Sequence, residues 1–229
     1  EVFLLYNREL SIELREARVE TLKEAEEIGM GVRVLNHGRM GFAYSSDLSR
    51  AAILEVVDNA VSISNCMIAD EYQCLVEPSQ YYPPVSCFDQ QIVDTMLEEK
   101  INLARASEKA ARSFDKRIRM VEKSAYEDSH SITVIMNSNG LQASFAQNLA
   151  GIYIALVAQE EEDSQTGFAV KARRKITDLN PQQLGQEAAS RAVRSLKARS
   201  MDSQCLPCVM EPYVATRFMG LLLPSLYGD

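Results

Sequence analysis

The chain is short of the residues that usually announce a reactive centre. Histidine occurs twice, at His37 and His130, and nowhere after His130. Neither stands in an H-E-x-x-H or comparable ligand spacing, so the sequence offers no recognisable metal motif of its own. Cysteine occurs five times, at Cys66, Cys74, Cys87, Cys205 and Cys208, an odd number irregularly spaced. That usage fits reduced cytosolic thiols better than a disulfide framework. No apolar run approaches the ~20 residues of a membrane span, and no charged n-region leads into an apolar h-region. The expectation is a cytoplasmic protein with no membrane partner. An excess of basic residues is also missing: the net charge is -8. Nucleic-acid affinity comes from dense Lys and Arg, so no nucleic-acid partner is expected. The basic run from Lys171 to Lys175 reads as a solvated turn between a strand and a helix. Glu1 is not an initiator Met, and the apolar run that closes the chain has nothing to pack its far side, so a piece of something longer is expected.

What is present is clearest between Gly29 and Val61. Val32 and Val34 alternate with Arg33, Asn36-His37-Gly38 tolerates positive φ, and Phe42 and Tyr44 begin a return strand. Asp47-Leu48-Ser49 then opens a helix, with Ser49 as N-cap and Leu48 placed to staple onto Ile53. Ile53, Val56, Val57, Ala60 and Val61 follow at helical spacing, which gives an apolar face to lay on the hairpin. Before this stretch, Val2 to Glu27 alternates weakly and reads as strands with one wet face.

Cys66 to Cys87, with Pro78, Pro83, Pro84, Tyr81 and Tyr82, has no period and reads as a linker or extended crossing. Thr95 and Glu98 form a capping-box pattern, so a helix is predicted from Thr95 to about Phe114. Ile118–Tyr126, Ser131–Asn137, Leu141–Gln147 and Gly151–Ala158 read as four strands of an antiparallel meander, with Asn137-Ser138-Asn139-Gly140 as a turn. Gly167-Phe168-Ala169 opens a further strand. Asn180 caps a final helix whose first residue is Pro181, with Leu179 placed to staple onto Leu184. Gly41-Phe42-Ala43 thus recurs as Gly167-Phe168-Ala169, and Asp47-Leu48 recurs as Asp178-Leu179. Ser11-Ile12 recurs as Ser131-Ile132 and Gly31 as Gly151 at one constant offset. Ordered agreement of this kind predicts an α+β fold, a duplicated unit of antiparallel β-meander followed by a helix packed on the sheet. The expected organisation is a first unit at 1–65, a Pro/Tyr-rich linker at 66–88, a second unit at 89–201, and the start of a truncated C-terminal domain at 202–229.

Four local features invite a chemical reading. His37 lies in a hairpin turn, where polar residues are ordinary. Asp128-Ser129-His130-Ser131 brings Asp, Ser and His together in sequence, but triads assemble from distant positions and no Gly-x-Ser-x-Gly elbow is present, so an exposed turn is expected. Cys205-Leu206-Pro207-Cys208 would suit thiol-disulfide exchange at a helix N-terminus. Val209-Met210 reads instead as a strand, and Glu211-Pro212 begins the helix after it. Glu160 to Asp163 reads as a solvated acidic loop.

GMGVRVLNHGRMGFAYSSDLS, SAYEDSHSITVIMNSNGLQASF, TGFAV to ITDLNPQQLGQEAASRAV, and CVMEPYVATRFMGLLLPSLYGD together resemble the TldD/PmbA family, also called modulators of DNA gyrase. The resemblance covers nearly all of this chain and about the first half of a typical member. It implies proteolysis and peptide maturation in the cytoplasm, by complexes pairing a TldD-type with a PmbA (TldE) type subunit. TldD-type members carry His-Glu-x-x-x-His on the helix that here lies within Tyr213 to Asp229. Anchored at Gly228-Asp229, the motif's His, Glu and His fall on Met219, Gly220 and Pro224, none of which can do that work. The helix presents Phe218, Met219, Leu221, Leu222 and Leu223, a body suited to packing. The resemblance therefore implies the PmbA/TldE type: a non-catalytic subunit with no catalytic, cofactor-binding or metal residues, the metal being held by a TldD-type partner. Its expected partners are that metallopeptidase subunit or a second copy of itself, and unfolded peptide held at a strand edge by main-chain hydrogen bonds. Two alternatives stand beside it: a thiol-disulfide module using Cys205 and Cys208, and a plain interaction scaffold.

Overall fold

The computed structural model describes residues 1–79 and 81–227. Residues 1–196 form one compact unit and residues 197–229 another.

The first unit is built on one antiparallel sheet of six strands in the order β3-β2-β1-β4-β5-β6. These are β1 (Val2–Arg15), β2 (Arg18–Asn36), β3 (Arg39–Ser45), β4 (Ile118–Met136), β5 (Gln142–Glu160) and β6 (Asp163–Arg173). Two-residue turns close the hairpins at Glu16-Ala17 and His37-Gly38, and all four of these residues have positive φ, as right-handed strand twist favours. The helices are α1 (Arg50–Cys66), α2 (Gln90–Asp94), α3 (Leu97–Phe114) and α4 (Pro181–Ser195). The fold is α+β.

Period-two alternation places the helices. On β1 the even residues Val2 and Leu4 pack with Met30, Val32, Val56 and Ala60 beneath α1. Leu10, Ile12 and Leu14, also even, join Ile101, Ala104, Leu184 and Ala188 beneath α3 and α4. One face of the sheet therefore carries α1, α3 and α4, and the odd residues of β1 lie on the face without them.

The duplication is visible in the topology. Each half is strand, strand, strand, capped helix, and the halves join through the antiparallel β1–β4 ladder. Ser49 accepts from the Ala52 amide and Asn180 from the Gln183 amide, the two N-caps expected. Gly41 and Gly167 occupy the same place: Gly41 pairs with Val34 and Gly167 with Leu156. At each, the helix backbone comes so close that only hydrogen fits. An added Cβ would sit 1.9 Å from the Ala60 carbonyl oxygen at Gly41, and 2.3 Å from that of Ala188 at Gly167. The ladders anchored on these glycines put Gly31 in register with Tyr153, so the Gly31–Gly151 match in sequence is slipped by two residues.

Several local expectations are corrected. Thr95 caps no helix start: it is the C-cap of α2, its hydroxyl donates to the Gln91 carbonyl, and α3 begins after Met96. Thr can close one helix as readily as open another, and the short α2 claims it. The four strands predicted from Ile118 to Ala158 are two long ones, because pairing with β1 on one side and across the β4–β5 ladder carries the chain straight through Glu127–His130. Pairing that spans more than a hundred residues of sequence overrides local polarity there. Glu160–Asp163 closes a tight hairpin in which Glu161 takes positive φ.

In the second unit, α5 (Pro212–Leu222) is followed by a 3-10 turn (Leu223–Leu226). Cys208–Met210 is not a strand; the chain there has no regular structure. The helix expected to run on to Asp229 stops at Leu222, and its anchor, Gly228-Asp229, lies outside the described residues.

Candidate functional site

The face of the sheet without helices holds a cavity of about 570 Å³. It is lined by Glu9, Glu13 and Glu127, with Lys23, Ser129 and Tyr153 among the other contributors. Register explains this grouping: Ser11 stands opposite both Lys23 and Glu127, so residues more than a hundred positions apart share one face. The Lys123 ammonium pairs with Glu13, which leaves the wall net acidic. Toward the other end the same face turns apolar, with Phe3, Phe42 and Tyr44 exposed and the Phe42 and Tyr44 rings stacked 6.2 Å apart. An acidic basin beside an apolar shelf suits an extended chain with mixed side chains better than a compact anion.

On the helix side, the buried charges of Lys100 and Glu108 are paired. Lys100 is 6% exposed and donates to Asp128 at 2.6 Å, while its ammonium lies 5.7 Å from the Tyr126 ring centre. Burial, and then the nearby Asp128 carboxylate, push the Tyr126 hydroxyl's pKa well up. That hydroxyl finds no hydrogen-bond partner among the described residues. Glu108, 2% exposed, accepts from the Ala17 amide and from Arg112, which ties the β1–β2 turn to α3. These contacts hold elements together.

The residues singled out by sequence are scattered. His37 is at an exposed hairpin tip. His130 lies in β4, not in a turn, half-buried between Tyr6 and Phe88 with ring centres 5.8 and 5.1 Å away. Its neighbour Asp128 is taken by Lys100. Cys205 and Cys208 are exposed and free, several residues ahead of the α5 N-cap at Glu211. Among the described residues no three His, Cys, Asp or Glu side chains come together as a metal-binding group. Met219 and Gly220 lie in α5 and Pro224 in the 3-10 turn after it, and none of the three carries an imidazole or a carboxylate. No described helix is long and apolar enough to cross a membrane. The acidic cavity was missed by sequence reasoning, since its residues converge only through strand register.

Comparison with known proteins follows the same division of the chain. The PmbA/TldA metallopeptidase domain 1 model matches residues 1–64, and the central-domain model of the same family matches residues 93–196. Metalloprotease PmbA of Escherichia coli O157:H7 is 26% identical over 96% of this chain and 49% of its own length. The PmbA homologue of Buchnera aphidicola from Acyrthosiphon pisum is 27% identical over 100% of this chain and 52% of its own. The chain thus spans about half the length of the curated relatives it matches. Among solved structures, a Thermotoga maritima protein described as a modulator of a DNA gyrase superposes with a TM-score of 0.80 at 20% identity, covering 89% of this chain and 46% of that one. TldE from Thermococcus kodakarensis superposes with a TM-score of 0.75 at 18% identity, covering 84% and 43%. At such identities the likeness shows the fold.

Proposed function

The chain belongs to the PmbA/TldD metallopeptidase family, and we propose that it acts as a non-catalytic, PmbA/TldE-type subunit of a cytoplasmic assembly that processes peptides. The observation that supports this reading is the content of α5 and the turn after it, which hold no His and have Met219, Gly220 and Pro224 at the positions on which the family resemblance lays the His, Glu and His of a TldD-type chain. A metal-bound water needs three ligands and a nearby base, and these residues supply neither. The metal and the hydrolytic step belong to a TldD-type partner in this reading. The contribution of this chain is a wall, its acidic cavity and apolar shelf lying along an extended, unfolded peptide. Cysteines that are free and exposed fit a reducing compartment.

The test is reconstitution. The purified chain is assayed on an unfolded peptide alone and with a TldD-type subunit from the same source. Chelator-sensitive cleavage only in the mixture is expected, together with co-purification of the two chains. Chelator-sensitive cleavage by the pure chain would overturn the reading. Full activity of the partner with no response to this chain would leave only the scaffold alternative.

A further inference from the structure

We propose that the outer edge of β2, from Thr21 to Gly29, pairs antiparallel with the same edge of a second copy of this chain, joining two six-stranded sheets about a two-fold axis. This goes beyond the reading above and needs no metal-bearing partner.

β2 is much longer than the strand that covers it. β3 reaches only Met30, which pairs with Ser45, so residues 18–29 have β1 on one side and, among the described residues, no strand on the other. Arg18 to Ile28 are all exposed. Arg33 and Glu1 exchange both backbone hydrogen bonds, each 2.8 Å. In an antiparallel ladder such pairs alternate, so the odd residues of β2 bond to β1. The even ones, Leu22, Glu24, Glu26 and Ile28, turn their N–H and C=O groups outward.

Other open edges are managed. On β6 the Arg191 guanidinium donates to the Phe168 carbonyl at 2.9 Å and lies over its ring, blocking the middle of that strand. On β5, which is to the second half what β2 is to the first, the Cys87 carbonyl accepts from the Asn148 amide at 3.0 Å. The outer edge of β3 has seven residues. The β2 edge has no proline, no bulge beyond Thr21 and, among the described residues, no covering loop; its guard is charge, carried by Lys23, Glu24, Glu26 and Glu27.

Its sequence is complementary to itself in one register. With Ala25 on the two-fold axis, Leu22 faces Ile28 of the second copy, and Lys23 faces Glu27 of the second copy, each pair occurring twice. Opposed Cβ atoms in such pairs lie roughly 4.5–5.5 Å apart, close enough for contact and for an ion pair. Leu22 and Ile28 are now 47% and 48% exposed. Glu24 faces Glu26 of the second copy, and both are already engaged, Glu24 by Arg8 and Glu26 by the Tyr6 hydroxyl. A slip by one pair in either direction puts Lys23 opposite Ala25 or Gly29 and loses the ion pairs. The centred register also uses the uncovered window from Thr21 to Gly29, since Met30 on each copy is held by β3.

Sedimentation equilibrium of the full chain tests this. A concentration-dependent mass approaching twice 25.6 kDa is expected. Lys23→Glu and Glu27→Lys should each weaken the dimer about tenfold or more by opposing like charges at two sites, and the double variant should bring the dissociation constant back to within about threefold of the parent. Glu26→Pro removes an outward donor, which an edge strand tolerates, and should give a folded monomer by circular dichroism. A parent chain that stays monomeric up to about 0.5 mM overturns the proposal. So does a dimer indifferent to both single charge changes, or a double variant that stays as weak as the singles.

Discussion

Replacing Gly41 by alanine puts the weight of the first half of the fold on a single atom. The new Cβ would lie 1.9 Å from the Ala60 carbonyl oxygen and 2.5 Å from the Ser64 amide nitrogen, both backbone atoms of α1 that no rotamer change can move. To bring the nearer contact to ordinary van der Waals distance the helix must withdraw by about 1.5 Å. A gap of even 0.5–1 Å forfeits roughly a quarter to a half of the dispersion well across an interface. The interface is small: Met30, Val32, Val56 and Ala60 are its fully buried members. At roughly 1.5–3 kcal/mol for each larger buried side chain, losing that fraction amounts to about 2–3 kcal/mol, similar to other overpacked cores. Gly41→Ala should therefore lower the stability of the 229-residue chain by about 3 kcal/mol, read as a reduced urea midpoint with unchanged slope by far-UV circular dichroism. Gly29→Ala is the control, since its nearest contact would be 3.7 Å, and it should move the midpoint little. Gly167→Ala, facing Ala188 and Ala192 as Gly41 faces Ala60 and Ser64, should behave like Gly41→Ala. A Gly41→Ala protein within about 0.5 kcal/mol of the parent would refute the close-approach account and, with it, the structural equivalence of the two glycines.

Lys100→Met leaves the Asp128 carboxylate, 12% exposed, without its buried partner, and should cost about 3–5 kcal/mol by denaturant titration. Lys100→Met combined with Asp128→Leu should recover most of that loss; an additive double variant would show that the two do not act as a pair. Glu108→Ala removes the acceptor for the Ala17 amide and for Arg112, and roughly 2 kcal/mol should be lost, with faster hydrogen exchange at the Glu16-Ala17 turn. The Arg117 side chain, and then its backbone amide, hold the Asp115 carboxyl down at about 2 against an ordinary 3.8. A depressed carboxyl stabilises the fold above its unfolded pKa and loses that contribution as pH falls through the folded one. Asp115→Asn should therefore flatten the stability curve between about pH 4 and 2 and leave its shape above pH 5 unchanged; an unaltered acid limb would count against the pairing.

What was legible in the sequence was local. Ser49 and Asn180 cap helices through their own side chains, and His37-Gly38 turns through its own backbone, so a few residues sufficed to place each. The repeated Gly-Phe-Ala was visible as a pattern, but its cause, a helix backbone pressed onto Gly41 and Gly167, depends on residues about twenty positions further on. His130 was misplaced because Arg8 and Asn148, its neighbours across the two ladders, decide that it is strand. The cavity was invisible for a stronger version of the same reason. Glu9, Glu127 and Tyr153 meet only after three strands have found their register, and no window along the chain contains more than one of them.

The two halves share a plan but not a share of the core, and α3 accounts for the difference. It has no counterpart in the first half, yet with α4 it covers Leu10, Ile12 and Leu14 of β1, residues that belong to the first half by sequence. Gly185 lets α4 close onto it, an added Cβ there falling 2.1 Å from the Ser107 carbonyl oxygen. In the register set by Gly41 and Gly167, the β4 residues matching Leu10 and Leu14 are Ile132 and Met136, and both remain more than a third exposed. The first half therefore contributes its best apolar strand segment to the second half's core. It keeps only the small cluster under α1 for itself. β2 beyond Gly29 toward Arg18 is what this leaves over: a strand held by β1 alone, with no second strand on its other edge among the described residues. A duplicated unit that had kept a third helix in both copies would have covered that stretch. Its exposure follows from the same asymmetry that builds the larger core, and pairing with a second copy would supply, between molecules, the neighbour that the chain does not provide for itself.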